Sequence, residues 1–420
     1  MEIQLIMEKI QRKYTDILNS AVPANVFRAA YLLLLVIHCI ENTSVKYLDV
    51  EWINGMYLFR NALYLVLAAR LFFLAEFQRQ ELIWAGAFFA AGCLSFLGTR
   101  DFGLMEFILI MLSAKGESPR WLISVFMTVK AAAVFVTLFL WRIGVLAAVY
   151  YQDDDVGFYN TYGFIHRNVL AANITVICLA WFYFRWKKIK VLDVAVWSTI
   201  ALLSWPVAQS RTGLILLFLI IFGMFFGRRK RKWIRYIPEL RKIVLICLIA
   251  FILISVIGTL LYSDDSVFWK VVDSIFTKRF KYANQCLEEY GLSLFGQQLP
   301  LVSTMEAQTS GATRLILDNS YMRAVLYYGI VPGGMFLGAY FQALSHSARH
   351  KNVRLLICLL LFAVYGLSES YLLDVNYQFA LVIAWNRYFF KESGVAGTEY
   401  NGTVPEHIHD VIRQYRERTK

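Results

Sequence analysis

The stretch Leu317-Asp-Asn-Ser-Tyr-Met-Arg-Ala-Val-Leu-Tyr-Tyr-Gly-Ile-Val331 combines a dense polar cluster with the start of a long apolar run. A carboxylate, an amide, a hydroxyl, a phenol and a guanidinium all fall between residues 318 and 323. The apolar run that follows is long enough to cross a bilayer as a helix. Polar groups crowded at the mouth of a membrane helix are costly to keep there, so they commonly mark a functional site. The alternative is a polar loop edge from which Arg323 extends to the lipid headgroups.

The composition is that of a membrane protein. Of the 420 residues, 58% are hydrophobic and only 17% are charged. A soluble chain of this length would not be so apolar, so the sequence predicts an all-α polytopic membrane protein. Five of the six cysteines lie in apolar runs and no CxxC pair occurs, so neither a disulfide framework nor a cysteine metal site is predicted. The sequence lacks a GxxxxGK[ST] loop, which argues against a nucleotide-driven pump.

About twelve apolar segments are candidates for membrane spans. A helix rises about 1.5 Å per residue and a bilayer core is about 30 Å thick, so roughly 20 residues are needed for a crossing. An even number of spans places both termini on the same side of the membrane. The segments at 102–114 and 355–368 are short for a full crossing. The candidates lie at 23–40, 55–75, 82–98, 102–114, 121–141, 168–184, 191–208, 212–227, 243–262, 319–344, 355–368 and 376–390.

The distribution of Lys and Arg predicts which side of the membrane faces the cytoplasm. Basic residues accumulate in one set of loops and in both termini, whereas the opposite loops carry acidic runs at 153–155 and 264–265. Because cytoplasmic loops are enriched in Lys and Arg, both termini are predicted to be cytoplasmic. The formal net charge of +12 then reflects topology and contact with anionic lipids rather than nucleic-acid binding.

Both ends of the chain are expected to lie on the membrane surface. Residues 1–22 are predicted to form a cytoplasmic amphipathic helix, because apolar residues recur there at helical spacing. Within the C-terminal tail, residues 391–420, the segment 406–418 repeats this pattern weakly. We interpret both as anchors without chemistry of their own.

One long segment is expected to fold outside the membrane. Residues 263–318 connect the groups of spans at 23–262 and 319–390, and they are too many for a simple connection. They are therefore predicted to form a large structured extracytoplasmic loop. Within it, residues 266–290 are predicted to form a single helix that caps a cavity, with its apolar face turned either to the bilayer surface or to the bundle.

Basic residues on the predicted outer side run against the general charge distribution. Arg211 is the clearest case, because it lies in the turn Gln209-Ser-Arg-Thr-Gly213 between two candidate spans. A guanidinium there is suited to bidentate binding of a phosphate; the alternative is an interfacial anchor that reaches the headgroups. For Arg60, Glu106 and Lys130, which lie within apolar segments, ion pairing inside the bundle and substrate contact both stay open. The outward basic residues are Arg142, Arg167, Arg211, Arg279, Arg314 and Arg323.

Four short motifs follow one another along about the last 260 residues. Together they resemble motifs of the bacterial polysaccharide polymerases that join lipid-linked oligosaccharide repeat units, and more broadly those of the O-antigen polymerase and ligase superfamily. The first 160 residues or so match this family only in hydropathy. The motifs are Gly163-Phe-Ile-His-Arg-Asn168, Gln209-Ser-Arg-Thr-Gly213, Phe276-Thr-Lys-Arg-Phe280 with Tyr290-Gly-Leu-Ser-Leu-Phe-Gly296, and Asp318-Asn319 followed after nine residues by Gly329.

The resemblance implies a GT-C-like fold and a glycosyl transfer on the extracytoplasmic face of a bacterial plasma membrane. The donor would be a glycan on a polyprenyl diphosphate, and the acceptor the terminal hydroxyl of another lipid-linked repeat unit, with no metal or other cofactor. Membrane lipids, flippases and chain-length regulators are the implied partners, and nucleic acid is not among them. Ligases of the superfamily resemble the last motif but have histidine in place of Asp318, which favours a polymerase.

The same resemblance suggests roles for residues of the outer side. Arg211 and Arg279 are suited to neutralise the diphosphate leaving group, whose developing charge needs cations rather than a protonating acid. The acceptor hydroxyl needs a general base, for which Asp318 is the first candidate and His166 the second. Asp318 has the alternative of capping the helix that begins at residue 319. Further contacts with the diphosphate or the sugars are predicted for Asn319, Tyr321, Arg314, Arg323 and Arg142.

Three other functions are compatible with parts of this pattern. A ligase would transfer the same lipid-linked glycan to a different acceptor. A flippase or other transporter of lipid-linked oligosaccharides would have a similar number of spans and buried charges, but it would be expected to show paired halves or broken midplane helices, and no internal repeat is found in the sequence. A non-catalytic scaffold would leave the outward arginines unexplained.

Overall fold

The computed structural model describes residues 16, 20–47, 51–75, 77–147, 150–153, 157–234, 239–303, 307, 311 and 314–389. Within these ranges the chain forms fifteen α-helices, two short 3₁₀-helices and one antiparallel hairpin of β1 (Tyr150–Asp153) and β2 (Gly157–Asn160). The helices are α1 (Val22–Glu41), α2 (Glu51–Phe73), α3 (Arg79–Thr99), α4 (Gly103–Ser113), α5 (Pro119–Arg142), α6 (Arg167–Arg185), α7 (Val191–Ala208), α8 (Arg211–Ile234), α9 (Leu240–Leu261), α10 (Val267–Ile275), α11 (Arg279–Tyr290), α12 (Ser320–Leu326), α13 (Ile330–Arg349), α14 (Val353–Tyr365) and α15 (Phe379–Tyr388).

Seven of the described helices, namely α1, α2, α3, α5, α6, α7 and α9, are long and apolar enough to cross a membrane. The chain is therefore an α-helical polytopic membrane protein, as its composition predicts. α4, residues 211–225 of α8 and α14 are apolar but shorter than a full crossing requires. Each of the twelve predicted segments contains helix, but length and hydropathy support seven crossings, so the count of twelve stays a prediction.

α6 is the central helix of the bundle. In its membrane-length window 78% of the residues are buried, against 22–39% in the other six candidate spans. It packs against α5, α7, α8 and α14. Of its first residues, which belong to the motif at 163–168, Arg167 is buried and Asn168 is half-buried.

The helix predicted over 319–344 is interrupted in the structure. α12 ends at Leu326 and α13 begins at Ile330. Gly329, between them, has a φ of 99°, a conformation that favours a residue without a Cβ. A side chain on Gly329 would also collide with the backbone of residues 295–296. The prediction of one continuous helix is wrong, because the chain turns here to pack against the preceding loop.

The helix predicted over 266–290 is also divided. α10 ends at Ile275 and α11 begins at Arg279. Between them, Thr277 and Lys278 have left-handed φ angles of 55° and 63°, which no continuous α-helix contains. The prediction of a single helix is therefore wrong, and the division has a consequence for the site, because it places Arg279 in the first turn of a new helix.

Charges inside the bundle are paired in two of the three cases noted in the sequence. Arg60 Nη1 lies 2.5 Å from Glu41 Oε1, and Glu106 Oε1 lies 2.5 Å from His38 Nε2. Lys130 instead packs its ammonium over a tyrosine ring, 4.4 Å from the ring centroid. All three contacts lower the cost of holding an ion in the membrane.

The amphipathic segments at the two ends of the chain fall outside the described residues. Of residues 1–22, the structure describes residue 16 and residues 20–22, and it does not describe 391–420. Both stay predictions from the sequence.

The junction of α12 and α13 provides a test of the fold. A Cβ on Gly333 would strike the carbonyl oxygen of Ala324, whereas a Cβ on the neighbouring Gly334 would meet nothing within 4 Å. We expect Gly333→Ala to destabilise the protein by about 1–3 kcal/mol through overpacking. Gly334→Ala should be neutral or slightly stabilising, because alanine favours helix. Thermal unfolding of the purified protein in detergent measures both; equal melting temperatures for the two variants would contradict this packing.

Candidate functional site

A cavity of about 1290 Å³ lies at the end of the bundle where α6 and α8 begin and α9 ends. Small-molecule pockets usually enclose roughly 300–1,000 Å³, so this cavity has room for a larger ligand. Its lining comes from Lys46, Arg323 and parts of the segments 165–169, 209–212, 262–282, 301–318 and 369–374.

The lining of the cavity carries an excess of positive charge. It contains nine Lys or Arg residues and five Asp or Glu residues. An excess of this kind favours an anionic ligand. Among the described residues, no three His, Cys, Asp or Glu side chains are placed to hold a metal ion. The charged lining consists of Lys46, Arg167, Arg211, Lys270, Lys278, Arg279, Lys281, Arg314 and Arg323 with Asp264, Asp273, Asp318, Glu369 and Asp374.

Arg279 is the centre of a buried ionic cluster. Its guanidinium Nη2 lies 2.8 Å from Asp318 Oδ2 and 3.6 Å from Glu369 Oε1. Its Nε donates a hydrogen bond of 2.8 Å to the carbonyl oxygen of Ser368. Burial alone would lower the pKa of Arg279, but the neighbouring carboxylates outweigh that effect and raise it. Arg279 is therefore a permanent cation shared by two carboxylates.

The division between α10 and α11 positions this arginine. Asp273, near the end of α10, accepts hydrogen bonds from the backbone N–H groups of Phe280 at 2.8 Å and Lys281 at 3.4 Å. It thereby satisfies unpaired N–H groups in the first turn of α11. Because Asp273 is itself buried, it fixes the start of α11 and with it the backbone of Arg279.

Glu369 belongs to this cluster, although sequence reasoning did not select it. Its side chain is buried and its Oε1 accepts a hydrogen bond of 3.2 Å from Asn168 Nδ2. Burial raises the pKa of Glu369 to about 8, with Arg279 opposing the rise and Asp318 adding to it. The signal in the sequence was a lone carboxylate directly after the apolar segment 355–368, a position that by itself suggests a functional ion.

The motif at 163–168 contacts the same cluster through Asn168, its last residue. His166 caps α6, and its Nδ1 accepts a hydrogen bond of 3.1 Å from the backbone N–H of Asn168. Asn168 in turn contacts Glu369. The pKa of His166 is lowered to about 4 by burial and by neighbouring cations, Arg167 first among them. His166 is therefore neutral and only weakly basic at neutral pH.

The residues that follow Asp318 are used inside the protein. Asn319 caps α12, accepting hydrogen bonds of 3.0 Å from the N–H groups of Tyr321 and Met322, so the alternative that Asp318 is the capping residue is wrong. The Asn319 amide also donates to Ser255 Oγ and the carbonyl oxygen of Leu367, each at 2.9 Å.

Tyr321 is likewise enclosed. Its hydroxyl donates a hydrogen bond of 2.7 Å to the carbonyl oxygen of Ala363, and its side chain is 1% exposed. Neither Asn319 nor Tyr321 is among the residues that line the cavity. The sugar contacts predicted for them would require both to give up these internal hydrogen bonds.

The other predicted arginines are distributed unevenly. Arg211, the exposed first residue of α8, lines the cavity. Arg314 lines it with its guanidinium 5.5 Å from the ring centroid of Tyr282. Arg323 also lines it, 4.0 Å from Asp101. Arg142, exposed at the end of α5, is not part of the described lining.

Comparison with known proteins adds no relative. No family model, no curated protein and no solved structure matches this chain. The geometry nevertheless joins distant parts of the sequence, because the motif residues His166, Arg211, Arg279 and Asp318 all line one cavity. Their common location is the starting point for the functional argument.

The raised pKa of Glu369 predicts a dependence of stability on pH. A carboxyl whose pKa rises from 4.5 to about 8 on folding favours the folded state while protonated. That contribution is fully present below pH 4.5 and is lost as the pH rises through about 8. The melting temperature of the purified protein should therefore fall between pH 6 and pH 9, and it should fall less in Glu369→Gln.

A matched control is the exposed Glu288 on α11. Glu288→Gln should follow the wild-type curve of melting temperature against pH. A Glu369→Gln curve parallel to that of the wild type would show that Glu369 is ionised throughout this range.

Proposed function

We propose that this protein is a polysaccharide polymerase with a twelve-span, GT-C-like architecture in a bacterial plasma membrane. It joins polyprenyl-diphosphate-linked oligosaccharide repeat units at the cavity, on the extracytoplasmic face, with both termini in the cytoplasm. The observation that carries the proposal is the cluster of Arg279, Asp318 and Glu369 at the wall of a cationic cavity in a membrane bundle. This cluster offers carboxylate bases beside a region that attracts a polyanion.

The reaction is a displacement at the anomeric carbon of the donor sugar. The bond from that carbon to the diphosphate oxygen breaks, and its electron pair leaves with the diphosphate. The acceptor hydroxyl oxygen forms the new bond, and its proton passes to the base. A single displacement inverts the configuration of the anomeric carbon. The leaving diphosphate needs no proton donor, but it needs nearby cations.

Arg211 is best situated to supply positive charge to the diphosphate. It is exposed to the cavity at the first position of α8, where the helix dipole and unpaired backbone N–H groups also favour an anion. Arg314 adds a second cation whose Nε has no hydrogen-bond partner among the described residues. Among the described residues neither is paired with a carboxylate, in contrast to Arg279.

The carboxylate pair is better suited than His166 to act as base. The Asp318 side chain is 25% exposed and the Glu369 side chain 9%, so Asp318 is the one that an acceptor hydroxyl can reach. Burial raises the pKa of Glu369 and so favours the protonated form of this residue behind Asp318. His166 Nδ1 already accepts the hydrogen bond from the Asn168 N–H, so in the neutral ring the proton lies on Nε2 and that nitrogen cannot take up another.

The activity test uses the purified protein in vesicles with lipid-linked repeat units taken from a strain that lacks the gene. A ladder of longer glycans that forms without nucleotide supports a polymerase. Transfer to a non-glycan acceptor without a ladder would indicate a ligase, and movement of the substrate between leaflets without any new bond would indicate a flippase.

Asp318→Asn tests the base. The variant keeps the size and hydrogen-bonding capacity of the side chain but cannot accept the proton, so the transfer should slow by roughly 10²–10⁴-fold. Glu288→Gln, on an exposed face outside the cavity, should retain the wild-type rate. A nearly active Asp318→Asn together with an inactive His166→Ala would move the base to His166.

Arg211→Lys separates charge from geometry. Lysine keeps the positive charge but loses the planar fork, so the rate of ladder formation should fall well below that of the wild type if the diphosphate is bound through two hydrogen bonds. Arg211→Ala should abolish ladder formation in protein that is still made and inserted. A normal ladder from Arg211→Ala would show that Arg211 is a headgroup anchor.

A further inference from the structure

The nine-residue helix α10 has two chemically different sides. One side carries Lys270, Asp273 and Ser274, all of which line the cavity. The other side carries four large apolar residues, whose exposed fractions are 76% for Val267, 65% for Phe268, 58% for Val271 and 73% for Ile275. α10 therefore has the cavity on its polar side and a different environment on its apolar side.

The bundle does not cover that apolar side. The exposures of 58–76% are far above those of packed residues, and α11 is the helix against which α10 packs. The two orientations predicted for the apolar face of this segment both occur: in α11 Phe280 and Ala283 are buried against the bundle, whereas the apolar side of α10 is not. Four large apolar side chains grouped on one helix are seldom left in water, so another apolar phase has to cover them.

The preceding helix indicates which phase that is. α9 is a candidate membrane span, and its last two turns expose Ile257 at 46%, Leu260 at 58% and Leu261 at 57%. Apolar residues exposed on a membrane span face lipid. α10 begins only six positions after Leu261, so its apolar side starts where the lipid-facing side of α9 ends.

A second apolar patch anchors the other end of the same loop. Leu292 is 57% exposed and Leu294 59%. The backbone around them is tied to the start of α13, because the N–H groups of Ile330 and Val331 donate to the carbonyl oxygens of Ser293 and Leu294 at 2.9 and 3.0 Å. The loop is thus bound to the bundle at two places, each with exposed apolar residues beside it.

We propose that α10 lies in the bilayer interface with Val267, Phe268, Val271 and Ile275 among phospholipid acyl chains, and that it forms the wall between the lipid and the cavity. An amphipathic helix with cationic and polar residues on one side and large apolar residues on the other is typical of such a location. The proposal does not depend on the polymerase activity. It implies that an amphiphile can keep its hydrocarbon in the bilayer while its head group enters the cavity beside α10.

Photo-crosslinking in vesicles tests the occupant of this surface. The full-length protein carries the photoreactive amino acid p-benzoylphenylalanine at position 268 and is reconstituted into phosphatidylethanolamine and phosphatidylglycerol with alkyne-tagged acyl chains. Position 135 on α5, where Phe135 is 71% exposed on a candidate span, is the positive control. Position 288, on the polar exposed side of α11, is the negative control.

The expected result is a tagged lipid adduct at positions 268 and 135 and none above background at 288. In a second protein that also carries Val271→Glu, the adduct at 268 should be lost and the adduct at 135 retained, because a carboxylate is expelled from the hydrocarbon. An adduct at 268 with a second copy of the chain, or no adduct there while 135 reacts, would overturn the proposal. The same replacement at position 275 repeats the test if the 268 variant is not inserted.

Discussion

Arg279 carries a full positive charge at a position that is 6% exposed, and a charge buried without partners costs several kcal/mol. Asp318 and Glu369 offset this cost, and the carbonyl oxygen of Ser368 takes a further N–H of the guanidinium. The three partners come from two segments that are distant from Arg279 in sequence. Satisfying one buried arginine therefore fixes the relative positions of α11, the start of α12 and the connection between α14 and α15.

Irregular backbone near a membrane is tolerated where protein encloses it or where it lines a cavity. Two interruptions of helix meet these conditions around the site. The first is the turn at 276–278, which precedes Arg279. The second is the segment 366–369, whose backbone carbonyl groups accept hydrogen bonds. The N–H of Ser320 donates to Gly366 at 2.8 Å, and the side chains of Asn319, Arg279 and Ser320 donate to residues 367, 368 and 369. Breaks in the helices thus leave backbone carbonyl groups free of helical hydrogen bonds next to the charged cluster, where they accept hydrogen bonds from nearby side chains.

Hydrophobic periodicity predicted the helical segments and the membrane class, because both depend on local composition. It could not predict the breaks at 276–278 and 327–329, which depend on left-handed conformations that only tertiary contacts stabilise. Of the clustered polar residues of 318–323, Asp318 and Arg323 line the cavity, but sequence alone does not distinguish a side chain that faces a ligand from one that satisfies the backbone. Asn319 and Tyr321 are of the second kind. Glu369 was not predicted as a site residue, because its partners Arg279 and Asn168 are 90 and 201 positions away in the sequence.

The charges of the site divide into two groups with different tasks. Arg279 and Asp318 cancel each other, so the cluster is neutral when Glu369 is protonated and negative when it is ionised. Burial raises the pKa of Glu369 and so favours its protonated form. In the proposed reaction a protonated Glu369 would add no repulsion toward the diphosphate, and the attraction would come from cations outside the cluster, above all Arg211 and Arg314. Arg279 would accordingly organise the base instead of binding the leaving group. In the proposed reaction the loss of Arg211 would weaken binding of the diphosphate, whereas the loss of Arg279 would leave Asp318 and Glu369 without the cation that they share.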